Sequence, residues 1–177
     1  ENNSTNEETF RYYDRISEEL DCVKVCRWEH EFNFSKINNF GANHASGEYY
    51  VLLNNDIEVI SPDWINRMVG YCQDESVGAV GAKLLYPDDT IQHCGVVVGI
   101  AGFAGHVFNG LTRQDLGYFG RLIVQQEVSA VTAACMMVDG KVFNEIGGLD
   151  EEFAVALNDV DLCLNIRKCN KKIILDP

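Results

Sequence analysis

A five-residue apolar run, Tyr49-Tyr50-Val51-Leu52-Leu53, begins shortly after Gly47 and stops on Asn54-Asn55-Asp56. It is too short for a helix. Aromatic, β-branched and aliphatic side chains in succession read instead as a buried strand. In an open α/β sheet, ligands gather just beyond the carboxyl ends of the strands. Asn54, Asn55 and Asp56 stand there with hard oxygen donors, suited to Mg²⁺ or Mn²⁺ and to sugar or phosphate hydroxyls. Asn and Asp also favour a plain solvated turn, and this stretch alone leaves both readings open.

Around that strand the chain alternates helical and extended patterns. Phe10, Tyr13, Ile16 and Leu20 recur at helical spacing. Ser4-Thr5-Asn6-Glu7 has the spacing of a capping box, so a helix is expected over residues 6–20. Val23, Val25 and Cys26 suggest a strand. Asn33 or Ser35 can cap a second helix running to Ala45 and ended by Gly47. Ser61-Pro62-Asp63-Trp64 opens a third, with Ile65, Met68, Val69 and Cys72 facing inward. Residues 77–85 and 91–98 read as strands about the turn Pro87-Asp88-Asp89. The glycine-rich stretch 99–127 reads as a long loop, functional or mobile. A strand over 128–138, a short helix over 141–146, a helix opened by Leu157-Asn158-Asp159-Val160-Asp161-Leu162 and running to about Lys168, and a strand over 173–175 complete the chain. This alternation predicts an α/β fold with a mostly parallel central sheet and helices on both faces. Nothing divides residues 1–177 into more than one domain.

Composition narrows the partners. The formal net charge of −13 repels phosphate backbones and anionic lipid surfaces, which disfavours nucleic acid and membrane-surface roles. An anionic substrate would need a cation or backbone amides to hold it. The seven cysteines are odd in number and irregularly spaced, with no C-x-x-C pair. They read as small hydrophobes in a reduced, cytoplasmic protein without a zinc site. No signal peptide opens the chain, and the weakly polar run 95–108 is too short and glycine-rich to span a membrane. A first residue of Glu and a last of Pro177 suggest a piece of something longer.

Two acidic positions carry candidate chemistry, Asp56 and the pair Asp159 and Asp161. Residues two apart on a helix point to different faces, so Asp159 and Asp161 should not act together. At a helix N-terminus Asp159 lies where the dipole favours negative charge. That suits a carboxylate accepting a proton from a hydroxyl, and it equally suits an ordinary N-terminal acid. Asp161 is left to tie down the helix start or a neighbouring loop. His30, His44, His93 and His106 lack metal-ligand spacing, His106 being notable only for its glycine-rich surroundings. No dinucleotide or Walker glycine pattern is present, and no G-x-S-x-G supports a nucleophilic serine.

Taken in order, these residues carry a family resemblance. Asn39-Phe40-Gly41 followed by Ala45-Ser46-Gly47-Glu48-Tyr49 resembles the N-x-G…A-x-G-E-Y pattern of family 2 glycosyltransferases of the GT-A fold. Glu1 to Thr5 is similar to that family's segment after its second strand. Asn54-Asn55-Asp56 falls at its D-x-D site, and Pro62-Asp63-Trp64 at the helix start that follows. Gly147-Gly148-Leu149-Asp150-Glu151-Glu152-Phe153 resembles G-G-F-D-E-x-F. Asn158-Asp159-Val160-Asp161-Leu162 resembles the E-D-x-D-L segment that bears the catalytic base. Asn158 in place of Glu resembles a bacterial branch of rhamnosyl and related polysaccharide transferases.

The resemblance implies a single GT-A domain over 1–177 with a Rossmann-like nucleotide-binding half, lacking the family's first strand-helix-strand unit. It implies an inverting, metal-dependent transferase of hexosyl type, acting in cell-surface polysaccharide synthesis. The donor would be a UDP- or dTDP-sugar and the acceptor a glycan or lipid-linked glycan. The setting would be the cytoplasm, with the inner face of the membrane reached through the rest of the parent protein. Asp159 is then the base. Asp56 holds the divalent cation, Mn²⁺ or Mg²⁺. Asn39, Asn54, Asn55 and Asp56 meet the donor, and Asp150 meets the acceptor. The transferring sugar gains oxocarbenium character, the leaving diphosphate gathers charge that a metal neutralises, and the acceptor hydroxyl loses a proton as it attacks. Two features depart from the pattern: Asn54 replaces the first Asp of D-x-D, and Asn158 the usual Glu. They keep a second reading alive, a non-catalytic module that binds sugar nucleotides or glycans. A nucleotidyltransferase ranks behind both, because no glycine-rich basic loop is present to hold a triphosphate.

Overall fold

The computed structural model describes residues 1–177, the side chain of Ala101 apart. Its elements in chain order are α1 (Glu7–Glu19), α2 (Phe34–Ala42), β1 (Tyr49–Leu53), α3 (Trp64–Cys72), β2 (Val77–Ala82), β3 (Leu84–Leu85), β4 (Ile91–His93), β5 (Val96–Val98), β6 (Ala104–His106), β7 (Gln126–Val128), β8 (Cys135–Asp139), α4 (Gly140–Glu145), α5 (Asn158–Lys168) and β9 (Lys172–Asp176).

The central sheet has the order β1-β8-β2-β9-β7. The α/β class holds, but the mostly parallel pairing does not. Among neighbours only β2 and β9 run parallel; β1–β8, β2–β8 and β7–β9 are antiparallel. β8 slots between β1 and β2 against their direction, so β1, β2 and β9 still point the same way. The alternation seen in the sequence reports that elements alternate, not which strand is inserted between which.

Period-two packing builds a core on each face. In β8, Met136 and Val138 face α4 and α5, while Cys135 and Met137 face α3. Leu162 and Ile166 of α5 are fully buried, each worth about 1.5–3 kcal/mol of hydrophobic burial. β1 has the expected limits but lies at the sheet edge, where Val51 and Leu53 are exposed and Leu52 alone is buried.

Other boundaries differ for local reasons. Asn6 rather than Ser4 caps α1, accepting from the Glu8 amide. Asn33 caps α2, which ends before Ala45. α3 begins after Ser61-Pro62-Asp63, and its Ile65 is exposed. Residues 23–26 form no strand. They adjoin the N-terminal residues instead, the terminal ammonium donating to the Cys26 carbonyl and the Trp28 amide to the Glu1 carbonyl. The extended run 91–98 is broken at Gly95, whose φ of 97° no strand accommodates. The loop 99–127 contains β6, hairpinned to β5, and the start of β7. The strand expected over 128–138 splits into β7 and β8 around an irregular segment, 130–134.

Candidate functional site

That irregular segment is bonded to both Asp159 and Asn54. Its backbone is engaged almost residue by residue. The Val96 amide donates to the Ala130 carbonyl at 2.9 Å, and the Cys163 thiol to the Val131 carbonyl at 3.7 Å. The Thr132 amide donates to His93 Nε2 at 3.4 Å, the Ala133 amide to Asp159 Oδ2 at 3.3 Å and the Ala134 amide to Thr132 Oγ1 at 3.4 Å. The Ala134 carbonyl accepts from the Asn54 amide at 3.0 Å. Gly81 of β2 lies beneath: a methyl group built there would come within 2.4 Å of the Val131 Cβ. Asp159 and the Asn54–Asp56 turn are therefore attached to adjacent residues, Ala133 and Ala134, at the carboxyl end of β1.

Asp159 sits in the first turn of α5, partly buried. Its Oδ1 accepts from the Val160 amide at 2.8 Å and its own amide donates to Asn158 Oδ1 at 2.8 Å. Leu157, at φ 64°, turns the chain into the helix without a side-chain cap. Asp161 points elsewhere and accepts from Asn165 at 2.9 Å within the same helix. Asn158 is buried, and its Nδ2 has no hydrogen-bond partner among the described residues. Flipping the amide would set that NH₂ against the Asp159 N–H, so the orientation is fixed. A buried donor of this kind costs about 1–3 kcal/mol when unpaired.

Asn54, Asn55 and Asp56 leave their side-chain oxygens uncommitted to hydrogen bonds among the described residues, with Asn55 and Asp56 exposed. No group of three or more His, Cys, Asp or Glu gathers among the described residues. One carboxylate beside amide oxygens still fits the way Mg²⁺-like ions are commonly held, through one or two carboxylates, water and substrate phosphates rather than an all-protein cage.

Asn39 is committed to the fold. Its Oδ1 accepts from the Leu149 amide at 2.9 Å, and its Nδ2 donates to the Leu149 carbonyl at 2.8 Å. The approach is so close that a methyl group on Gly148, itself at φ 77°, would come within 2.5 Å of Asn39 Oδ1. Asn33, Phe34 and Ser35 extend this clamp to Glu151, Ala154 and Phe153. Asp150 is exposed and caps its own turn through the Glu152 amide.

Four cysteines, Cys72, Cys94, Cys135 and Cys163, are buried and all seven are free. Burial pushes the Cys72 and Cys163 thiols up to about 12, which leaves them as apolar packing rather than nucleophiles. A cavity of about 870 Å³ beside α2 is lined by Asn3, Trp28, His30, Phe32 and Lys36 among others, and a smaller one of about 280 Å³ by Arg121, Glu127 and Arg167 among others. Neither is lined by Asp56 or Asp159. Sequence reasoning missed the backbone of 131–134, which has no residue signature. It also missed the contact between His93 and His106.

The family described as Glycosyl transferase family 2 matches residues 1–147, and the chain belongs to it. A protein of Sinorhizobium fredii, called y4gI and uncharacterized, is 42% identical over 178 residues, spanning 100% of this chain and 20% of its own length. The O-antigen biosynthesis protein RfbC of Myxococcus xanthus is 42% identical over 175 residues, 98% of this chain and 14% of that protein. The chain thus spans a small part of both relatives.

Solved structures agree on the fold. A mannosyltransferase from Pyrobaculum calidifontis, in complex with GDP-Man and Mn²⁺, superposes with a TM-score of 0.68 at 15% identity, over 98% of this chain and 43% of the other. GalNAc-T7 with UDP, GalNAc and Mn²⁺ superposes with a TM-score of 0.73 at 16% identity, over 97% of this chain and 34% of the other. The fold is GT-A. Among the described residues no helix is long and apolar enough to cross a membrane.

Proposed function

We propose that the chain is the donor-binding and catalytic part of an inverting glycosyltransferase that builds a cell-surface polysaccharide from a nucleotide-diphosphate sugar. One observation carries the proposal: Asp159 and the Asn54–Asp56 turn are bonded to the adjacent residues Ala133 and Ala134. Tethering a carboxylate and a donor-binding edge to adjacent residues supports the fixed placement of base and donor that in-line displacement at a sugar carbon needs. The name of the Myxococcus relative supports the polysaccharide setting.

Asp159 takes the proton of the acceptor hydroxyl as that oxygen attacks. The Ala133 and Val160 amides orient its carboxylate. Asp56, with Asn54 and Asn55, holds the diphosphate end of the donor together with a divalent cation. When bound, the cation supplies charge neutralisation at the leaving diphosphate. This answers the net charge of −13, which would otherwise repel an anionic donor. Asn39 supports the site through Leu149 rather than touching the donor, and exposed Asp150 is placed on the acceptor side. The Mn²⁺ named for both structural neighbours supports the cation.

Replacement of Asp159 by Asn in the full-length parent protein should reduce transfer by about 10³-fold or more while leaving donor affinity within about twofold, because the general base acts only in the transition state. Unchanged turnover would remove Asp159 from the role. Calorimetry with UDP and dTDP, with and without Mn²⁺, tests the other end: metal-dependent binding should vanish in Asp56→Ala. The departures Asn54 and Asn158 favour a second reading, a non-catalytic sugar-nucleotide or glycan-binding module. Donor hydrolysis or transfer by the parent protein excludes it.

A further inference from the structure

His93 and His106 are used by neither end of the proposed reaction, yet they touch. Their Nδ1 atoms are 2.9 Å apart, with ring centroids 5.0 Å apart and planes at 85°. His93 is buried, with 1% of its surface exposed, while His106 lies at the surface on β6. In such a contact one ring donates and the other accepts, and the surroundings decide which. His93 Nε2 faces two backbone donors, the Gly95 amide at 3.3 Å and the Thr132 amide at 3.4 Å. It must therefore carry a lone pair, and the His93 proton sits on Nδ1. That proton is donated to His106 Nδ1, which leaves the His106 proton on its outer nitrogen, Nε2. Every hydrogen is assigned by this chain of contacts. An added proton would set two N–H groups face to face, either at His93 Nε2 or between the two rings.

The pair reaches the site through one residue. The Thr132 amide ends on His93, and the next amide, that of Ala133, ends on Asp159. The hairpin bearing His106 is stitched to the same segment: Val96 pairs with His106 in the β5–β6 hairpin and donates to Ala130. We propose that His93 and His106 form a proton-ordered pair that fixes the Thr132 and Ala133 amides, and that both are positioning residues for Asp159. The functional half of the proposal rests on reading Asp159 as the base. Burial, with the neighbouring His106 adding to it, holds His93 down at about 3, in keeping with a ring that stays neutral in the folded protein.

Two variants at exposed His106 test this with little risk to folding. His106→Leu removes the acceptor, whereas His106→Asn restores an oxygen close to the position of Nδ1. In ¹⁵N-labelled protein, wild-type His93 should show the Nδ1–H tautomer. His106→Leu should speed hydrogen exchange at the Thr132 and Ala133 amides by about tenfold, and His106→Asn should keep it near wild type. An Nε2–H tautomer at His93, or unchanged exchange in His106→Leu, would overturn the pairing. In the full-length parent, His106→Leu should lower kcat by about tenfold at unchanged donor KM, with recovery in His106→Asn. Equal loss in both variants would mean that the His106 ring itself meets substrate, which overturns the positioning role. The exchange readout does not require Asp159 to be the base; a failure of that assignment would appear in Asp159→Asn instead.

Discussion

The fold dictates the charge state of His93. The side chain is buried against two backbone N–H groups and a second imidazole, and its imidazole is held down at about 3 against an ordinary 6.5. The unfolded chain binds a proton there as the pH falls through 6.5, while the folded chain does not until about 3. The stability this residue confers is therefore complete above about pH 6.5 and is lost as the pH falls below it, at a slope of about 1.4 kcal/mol per pH unit in that window. Chemical denaturation of wild type and His93→Gln across pH 7 to 5 should show stability falling more steeply in the first, the difference between the two curves having this slope. Glutamine offers an oxygen to the Thr132 and Gly95 amides but takes up no proton. Parallel curves would mean that the wild-type ring protonates without breaking its contacts.

At the scale of elements, the clamp between α2 and residues 149–154 joins two sequence landmarks that lie more than a hundred residues apart in the chain. Asn39→Ala would leave the Leu149 amide and carbonyl unpaired next to buried Leu149 and Phe143, costing about 1–3 kcal/mol. Urea titration should show a lower midpoint at unchanged slope. Gly81→Val would drive a branched side chain into Val131 and displace the segment that carries Ala133. Transfer should suffer there more than stability does. These elements also show what the residues foretell. The limits of β1 could be read because an apolar run ends on polar residues, whereas α5 begins one residue after the Leu157 expected to open it. The break of β7 from β8 could not, since Ala130, Val131, Ala133 and Ala134 are buried or partly buried and apolar like a strand, while the Thr132 and Ala133 amides leave the ladder for His93 and Asp159. The acids at 56 and 159 were legible as candidates by residue type. Their attachment to adjacent alanines was not, because it runs through main-chain atoms. Asn39 read as a ligand contact because its motif neighbours suggested one, whereas its amide is taken up by Leu149.

For the whole molecule, charge and edge oppose one another. β1 pairs on one side only within the described sheet, and it exposes Val51 and Leu53, with Val59, Ile60 and Ile65 also exposed. In this chain taken alone, an unpaired apolar edge invites pairing with other chains. At neutral pH the charge of −13 keeps copies apart, and that protection fades toward the isoelectric point near 4.6. Light scattering should rise as the pH approaches this value, and Leu53→Lys should suppress the rise. The bidentate contact of Arg67 with buried Asp176, supported by the Tyr71 hydroxyl, ties α3 to the end of β9 on the opposite face from α5. With Arg67 part-exposed, its loss should cost about 2–3 kcal/mol, chiefly from the buried carboxylate left behind.

The segment 130–134 also couples the two sides of the site mechanically. Ala133 and Ala134 are gripped by different elements, yet they are covalent neighbours at a fixed spacing of about 3.8 Å between Cα atoms. They act as a caliper with its jaws locked: whatever moves the helix that bears Asp159 also moves the rim that bears Asp56. Slow breathing of the two sides would then be synchronous, and relaxation measurements should report one shared exchange rate for the Asn54 and Asp159 amides rather than two.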